Sequence, residues 1–411
     1  MTGALYTSAD VPSETRFQRI GLILIIILIT CGLSISFRER DLGDTSLDFQ
    51  NGVKFTLWFL ILVVALFNIG KLTPLITSPS GYALSLLAIL ALTSAAWSEK
   101  PLYTFACAVG FASYNLFAAI SLYEISDEEF YKIIRHSLLG FVGLGFVGAL
   151  ISPESVWLPP SIEETSYRLQ GFAANPNNFG RIAALLFLLG LGAWTTEKRR
   201  TVTMALSIGL GLAGLILSGS RTALAASLLA SIFVLFRKTQ FFRSTLLSLA
   251  LFSITLLFLM SYGMSLATLF KTISRTGLES EVFTLTGRTD LWSAALEMIA
   301  ERPLFGWGFN STEEHFSLLF NQDFYGTPIN PHQMLLHLTM GTGLIGAFLA
   351  LSLFAFRIKN LFERPNTLDD LLTLFILIYG LTEVDLFGTP LFTSLIFFRV
   401  ALQDGAIRSR S

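Results

Sequence analysis

Charge is what this sequence most lacks. Lys, Arg, Asp and Glu make up 14% of the 411 residues, where a soluble domain carries about 25%. With 53% of the residues hydrophobic and a mean hydropathy of +0.63, so few charges cannot cover a soluble globule of this length. Neither sign is in excess. The 28 Lys+Arg and 29 Asp+Glu leave a net charge of -1, which excludes the basic footprint of a nucleic-acid binder. The apolar content excludes a disordered chain. Cysteine is scarce too: Cys31 and Cys107 each stand inside an apolar run and read as small buried hydrophobes, not as disulfide partners or metal ligands. There is no H-E-x-x-H, no Cys/His cluster and no Walker element. The expectation is therefore a chain without a metal or cofactor, drawing on a substrate that arrives already activated.

What the chain has in abundance is long apolar runs. Runs of about 20 residues match the thickness of a bilayer crossed as a helix. Apolar windows predict spans at 20–37, 53–69, 82–97, 102–123, 134–151, 179–194, 202–217, 222–236, 244–262, 334–356, 371–386 and 391–402. The expected fold is an all-α, polytopic membrane helical bundle of about 12 transmembrane helices, one integral membrane domain over 1–411. Lys198-Arg199-Arg200 and the group Arg237, Lys238 and Arg243 fall on one side of this arrangement. The positive-inside rule makes that side cytoplasmic, together with both termini. One connection, 263–331, is far longer than the rest, and on this topology it is a periplasmic loop. Within it, Thr289–Glu301 places Trp292, Ala295, Leu296 and Ile299 at helical spacing, with Thr289 or Asp290 available as a cap and Pro303 and Gly306 as stops. That stripe is expected to lie on the membrane surface or against the spans.

The candidate residues gather on the loop face. Arg221 lies in Leu217-Ser-Gly-Ser-Arg-Thr-Ala223, where two apolar runs meet with almost no loop. Such an arginine is costly unless it snorkels, pairs with a carboxylate or binds an anion. Arg288 opens the amphipathic segment, Arg168 precedes Asn175-Pro-Asn-Asn178, and Arg181 follows at the mouth of a span. For each, an ordinary surface or paired charge competes with an anion-binding role. His332 stands in Asn330-Pro-His-Gln333, where the long loop re-enters the bundle and Pro331 fixes the backbone ahead of it. A satisfied interfacial histidine competes with a general base. Glu383-Val-Asp385 reads as a polar contact inside the bundle.

Taken together these segments resemble the bacterial O-antigen ligase and O-antigen/exopolysaccharide polymerase superfamily. Leu217-Ser-Gly-Ser-Arg-Thr-Ala-Leu224 resembles its S-R-T element. Gly287-Arg-Thr-Asp-Leu-Trp292 followed by Arg302-Pro-Leu-Phe-Gly-Trp-Gly308 resembles its outer-loop element. Asn330-Pro-His-Gln-Met-Leu-Leu336 followed by Gly341-Thr-Gly-Leu-Ile-Gly346 resembles its histidine element, with Gln333 where an Asn commonly follows the histidine. Arg168-Leu-Gln-Gly171 with Asn175–Gly180 resembles an upstream element of the exopolysaccharide-polymerase branch. The resembling region spans 168–346.

The resemblance implies a GT-C-like, metal-independent glycosyltransferase in the bacterial inner membrane. Its donor would be a glycan on a polyprenyl (undecaprenyl) diphosphate, and its acceptor a second glycan or lipid A–core. It implies His332, Arg221 and Arg288 as catalytic residues, with Arg168, Arg181 and Asn178 as substrate contacts. Membrane lipids are further partners and nucleic acid is not one. Guanidinium forks suit a diphosphate leaving group, and a histidine can take the acceptor's hydroxyl proton. Polymerase and ligase both remain open. A transporter or flippase of lipid-linked glycans is the competing class, but it has no need of a long loop carrying its own helix. A non-catalytic membrane scaffold leaves the spacing of these segments unexplained.

Overall fold

The structure, a computed structural model, describes residues 13–32, 34–35, 49–160, 166–237, 288–318 and 330–408. Its main helices are α1 Ser13–Ile27, α2 Phe49–Phe67, α3 Pro79–Thr93, α4 Pro101–Glu124, α5 Asp127–Ile151, α6 Pro176–Thr196, α7 Val202–Leu217, α8 Arg221–Phe236, α9 Arg288–Glu301, α10 Met334–Glu363, α11 Thr367–Tyr379 and α12 Phe392–Arg408. Among the described residues the only strands, β1 Trp157–Leu158 and β2 Arg168–Leu169, pair antiparallel with Leu158 opposite Arg168.

Among the described residues six helices are long and apolar enough to cross a membrane: α2, α3 with its extension to Ala96, α4, α5, α6 and α10. Their outer faces carry large apolar side chains, with Leu102 87% and Leu150 86% exposed. Left in water, each such side chain would forgo about 1.5–3 kcal/mol, so the band fits lipid.

Among the described residues, length and composition account for six of about 12 expected spans. The expected segments 202–217 and 222–236 form α7 and α8, each of 16 residues. At 1.5 Å per residue each is about 24 Å long, short of the roughly 30 Å hydrocarbon core. The segment 371–386 is helical only to Tyr379; the chain then leaves the helix and carries Glu383 and Asp385 in a loop. The expected span 244–262 and most of the long connection 263–331 lie outside the described residues.

Small residues set the closest packing. Gly211 of α7 lies so near α6 that a Cβ there would come 2.6 Å from the Phe187 backbone nitrogen, and Gly190 faces Ser207 in the same way. This is the close approach that small residues permit between membrane helices.

A second close contact breaks α10. Gly343 has φ 67 inside that helix, and a Cβ on it would sit 2.1 Å from the Leu304 carbonyl oxygen. The backbone amides of Leu344, Trp307 and Gly308 donate to the carbonyls of Pro303, Met340 and Gly341. The segment after α9 is thus laced to the broken helix, and the hydrogen bonds the break would lose are remade. An apolar cluster of Leu291, Ala295, Met298, Trp307 and Met340 then holds α9 against α10.

The buried stripe of α9 differs from the expected one. Leu291, Ala294, Ala295 and Met298 are buried, whereas Leu296 is more than half exposed. Thr289 and Asp290, the two expected caps, both lie inside the helix. Trp292, Ala295 and Ile299 of the expected stripe do pack in this cluster, and only Leu296 turns outward.

Candidate functional site at the α6, α8 and α10 N-termini

Four short sequence stretches meet where α6, α8 and α10 begin. Asn175-Pro-Asn-Asn178 is the start of α6: the Asn175 side chain accepts from the Asn178 amide, and Pro176 takes the first turn, where no amide is needed. Leu217-Ser-Gly-Ser-Arg221 is the turn between α7 and α8. Gly219 there has φ 62, a left-handed conformation that glycine adopts without penalty. The two stretches touch, because a Cβ on Gly180 would lie 2.5 Å from the Ser220 Cβ.

The β1–β2 pair carries Arg168 into this contact. Arg168 is buried; its Nε donates to the Ser218 carbonyl at 2.7 Å and its Nη2 to Asn177 Oδ1 at 2.6 Å. Asn177 Nδ2 in turn makes a long 3.5 Å contact to Glu383 Oε1.

Glu383 is the hub. Arg288 Nη2 lies 3.0 Å from its Oε1, and His332 Nδ1 lies 3.3 Å from its Oε2. The carboxylate side chain is 13% exposed, Arg288 18% and His332 40%, so solvent or substrate reaches the imidazole most readily. Burial alone would push the Glu383 carboxyl up. The hydrogen bond and charge of His332, with Arg288, outweigh it and hold the group below the ordinary carboxylate range.

His332 is held by its backbone as well. Its φ is 46, uncommon for a residue with a side chain, and its amide donates to Asn330 Oδ1 at 2.9 Å. Trp292 of α9 donates from its indole to the Pro331 carbonyl at 3.1 Å. Gln333 caps α10 by accepting from the Leu336 amide. A non-glycine residue kept left-handed by three such contacts marks a place where side-chain direction is fixed at a cost in backbone strain. His337, by contrast, is buried, and its Nε2 lies 3.0 Å from Asn310 Oδ1.

The structure thus brings Arg168, Arg288 and His332 into one network through Asn177 and Glu383. Arg221 is the exposed first residue of α8, in the same turn as the Ser218 carbonyl that holds Arg168. Arg181 and Asn178 are placed differently. Arg181 is buried and paired with Asp385 at 2.8 Å, and both it and Asn178 line a separate cavity of about 290 Å³ beside the network.

Sequence reasoning assigned Glu383 only to a contact inside the bundle and passed over Asn177. The one signal for Glu383 was an acidic pair at the end of an apolar run. Nothing local marks Asn177 apart from Asn178.

Comparison with known proteins fits this arrangement. No curated protein matches the chain. The family model described as O-antigen ligase matches residues 202–351. That stretch carries the Ser-Gly-Ser-Arg turn, Arg288, the segment laced to α10, and His332. Over that stretch the chain is similar to the O-antigen ligase and polymerase superfamily of membrane proteins.

Proposed function

We propose that the protein is an inverting, metal-independent glycosyltransferase that moves a glycan from a polyprenyl (undecaprenyl) diphosphate to an acceptor hydroxyl. The observation that carries the reading is the His332–Glu383–Arg288 cluster, in which one carboxylate joins a solvent-reachable imidazole to a guanidinium. Glu383 takes the Nδ1–H of a neutral His332 and so leaves Nε2 as the acceptor of a proton. The acceptor hydroxyl gives that proton to Nε2 as its oxygen attacks the anomeric carbon, and the C–O bond to the diphosphate breaks with inversion. Negative charge builds on the departing diphosphate. Arg288 offers five donors of which the Glu383 contact uses one, and Arg221 and Arg168 bring further positive charge to the same end.

The site end is read as periplasmic, and the end carrying Lys198–Arg200 as cytoplasmic, because Lys and Arg concentrate at the latter. In an inner membrane this supplies a lipid-linked donor already flipped outward. The acceptor is a second lipid-linked glycan in a polymerase or lipid A–core in a ligase; the Arg168–Gly180 stretch favours the polymerase.

The test is incubation of the purified protein with a defined polyprenyl-diphosphate oligosaccharide. A ladder of products supports polymerisation, a single transfer supports ligation, and no product sinks the reading. Orientation is read separately by impermeant thiol labelling. The variant Asp290→Cys should be modified from outside and Thr196→Cys spared, both positions being exposed.

A further inference from the structure

The far end of the bundle holds another cavity, of about 490 Å³, where α5, the last turn of α6 and the start of α11 meet. Tyr131 of α5 donates to Asp369 of α11 there and ties the two helices together. Helix α6 links the two ends of the molecule. Asn177 in its first turn reaches the network, and Thr196 at its last position lines this cavity. At 1.5 Å per residue, the 21 residues of α6 put about 30 Å between them.

Arg135 stands in the cavity wall. Glu128, Tyr131, Lys132 and Arg135 fall at i, i+3, i+4 and i+7 of α5, so one helical face presents them together. Arg135 is 4% exposed, yet its guanidinium donates no hydrogen bond among the described residues. The nearest carboxylate oxygen, Glu197 Oε1, lies 3.6 Å from Nη1. Nε is enclosed in protein, whereas Nη1 and Nη2 are not, and these two carry the donors of the side chain to the cavity. A buried guanidinium with no acceptor from the fold is costly, and an acceptor in the cavity would relieve that cost.

The charges around it select the acceptor. Lys132, Lys198 and Arg199 complete the basic part of the wall and form no ion pair among the described residues. Of the carboxylates in the wall, Asp127 is held by Arg399 at 2.7 Å and Glu197 stands beside Arg135. Glu128 is left to offset three cations, so the wall is positive. Trp194, in the last turn of α6, lies under the Arg200 guanidinium at 5.1 Å. A tryptophan at the end of a span sits at the level of lipid headgroups.

We propose that this cavity binds a phosphate group at the membrane surface. Arg135 gives Nη1 and Nη2 to the phosphate oxygens, and Lys132, Lys198 and Arg199 supply the charge around them. The phosphate belongs to an anionic lipid headgroup or is a free ion reaching the same level. The site lies at the opposite end of the bundle from the transfer chemistry and does not depend on the glycosyltransferase reading.

The experiment places an environment-sensitive fluorophore on Thr196→Cys, in the cavity wall of the full chain in uncharged detergent, so that anions bound at the far end are not read. Cys31→Ser confines the label. The probes are inorganic phosphate and dihexanoyl phosphatidylglycerol at constant ionic strength, with dihexanoyl phosphatidylcholine as the control. At least one of the first two should give a saturable signal that the control does not. Phosphate alone identifies a free anion, phosphatidylglycerol alone a headgroup, and both together the phosphate they share. Arg135→Gln should weaken binding by about tenfold or more, the loss of charge-assisted hydrogen bonds. Lys132→Ala combined with Arg199→Ala, both on the exposed rim, should weaken it about three- to tenfold. Glu197→Gln removes the carboxylate that competes for Arg135 and should tighten binding. The proposal is overturned if neither probe binds, if the control binds equally, if the rim pair or folded Arg135→Gln binds like the wild type, or if Glu197→Gln weakens binding.

Discussion

Two arginines at opposite ends of the bundle show how alike in sequence, and how different in use, such residues can be. Arg399 is fully buried. It donates to Ser121 Oγ, the Ile125 carbonyl and Asp127 Oδ1, and its guanidinium lies over the Phe130 ring. Arg288 is 18% exposed, shares one carboxylate with His332, and stands at the start of a helix pinned to a broken neighbour. Arg399 spends its donors on fixing α12 to the α4–α5 junction. Arg288 meets a carboxylate already committed to an imidazole, in reach of solvent. Full burial among partners of the fold itself marks a structural charge, and sharing with access marks one available to a ligand.

The sharpest way to break this contrast is His332→Ala. Removing a general base costs about 100- to 10,000-fold in rate, so transfer from the lipid-linked oligosaccharide should almost vanish while donor binding and membrane accumulation persist. Near-normal turnover, or lost donor binding instead, removes His332 from the role. Next is Arg288→Ala, with Arg221→Ala beside it. Losing a charge-assisted contact in a partly dehydrated site costs about 2–5 kcal/mol, roughly 30- to several-thousand-fold in rate. Lys should rescue poorly for want of the planar fork. If both Ala variants turn over normally, the two arginines are surface charges.

Glu383→Gln should cost less, about 10- to 100-fold, because the imidazole stays in place but loses the negative charge that steadies its protonated form and fixes its tautomer. Equal activity in the two proteins would separate Glu383 from the reaction. Arg399→Ala tests the other end. It should lower unfolding stability by about 2–4 kcal/mol through orphaned buried acceptors, while folded protein keeps its KM; a kinetic defect without a stability loss would reverse the contrast.

The smallest effect is on acid stability. The Glu383 carboxyl is held below its ordinary range despite burial, by the His332 hydrogen bond and charge and by Arg288. A depressed folded value contributes stability that is present above the unfolded carboxyl pKa of about 4.3 and is lost as pH falls through the folded one. Wild-type stability should therefore drop more steeply than that of Glu383→Gln below about pH 4. Parallel curves throughout would mean the carboxyl is not held down.

Much of this was legible along the chain, for identifiable reasons. Helices α2 to α6 and α10 stand where apolar runs of bilayer length predict spans, because desolvating a backbone in lipid leaves the helix as the economical form. The α6 start is written in Asn175-Pro176, a cap and a residue that needs no amide partner. Other features were hidden. Apolar spacing cannot show that α9 turns Leu296 outward, since the buried face is decided by the Gly341–Gly343 break it packs beside. Nor can hydropathy show that the helix holding 371–386 stops at Tyr379 and frees Glu383 into a loop.

The sequence by itself determined a membrane-embedded helical protein and a likeness to the O-antigen ligase superfamily, because apolar run length and local motifs are properties of neighbouring residues. It also put His332, Arg288, Arg221 and Arg168 on a short roll of candidates. Only the tertiary structure decided that Glu383 joins His332 to Arg288, that Asn177 reaches from Arg168 toward the same carboxylate, and that Arg181 is paired with Asp385 in a different cavity. The pairings that involve Glu383 and Asp385 link residues 51 to 206 positions apart. A carboxylate's partner at such separation is set by which helix ends packing brings together, and no local pattern encodes that.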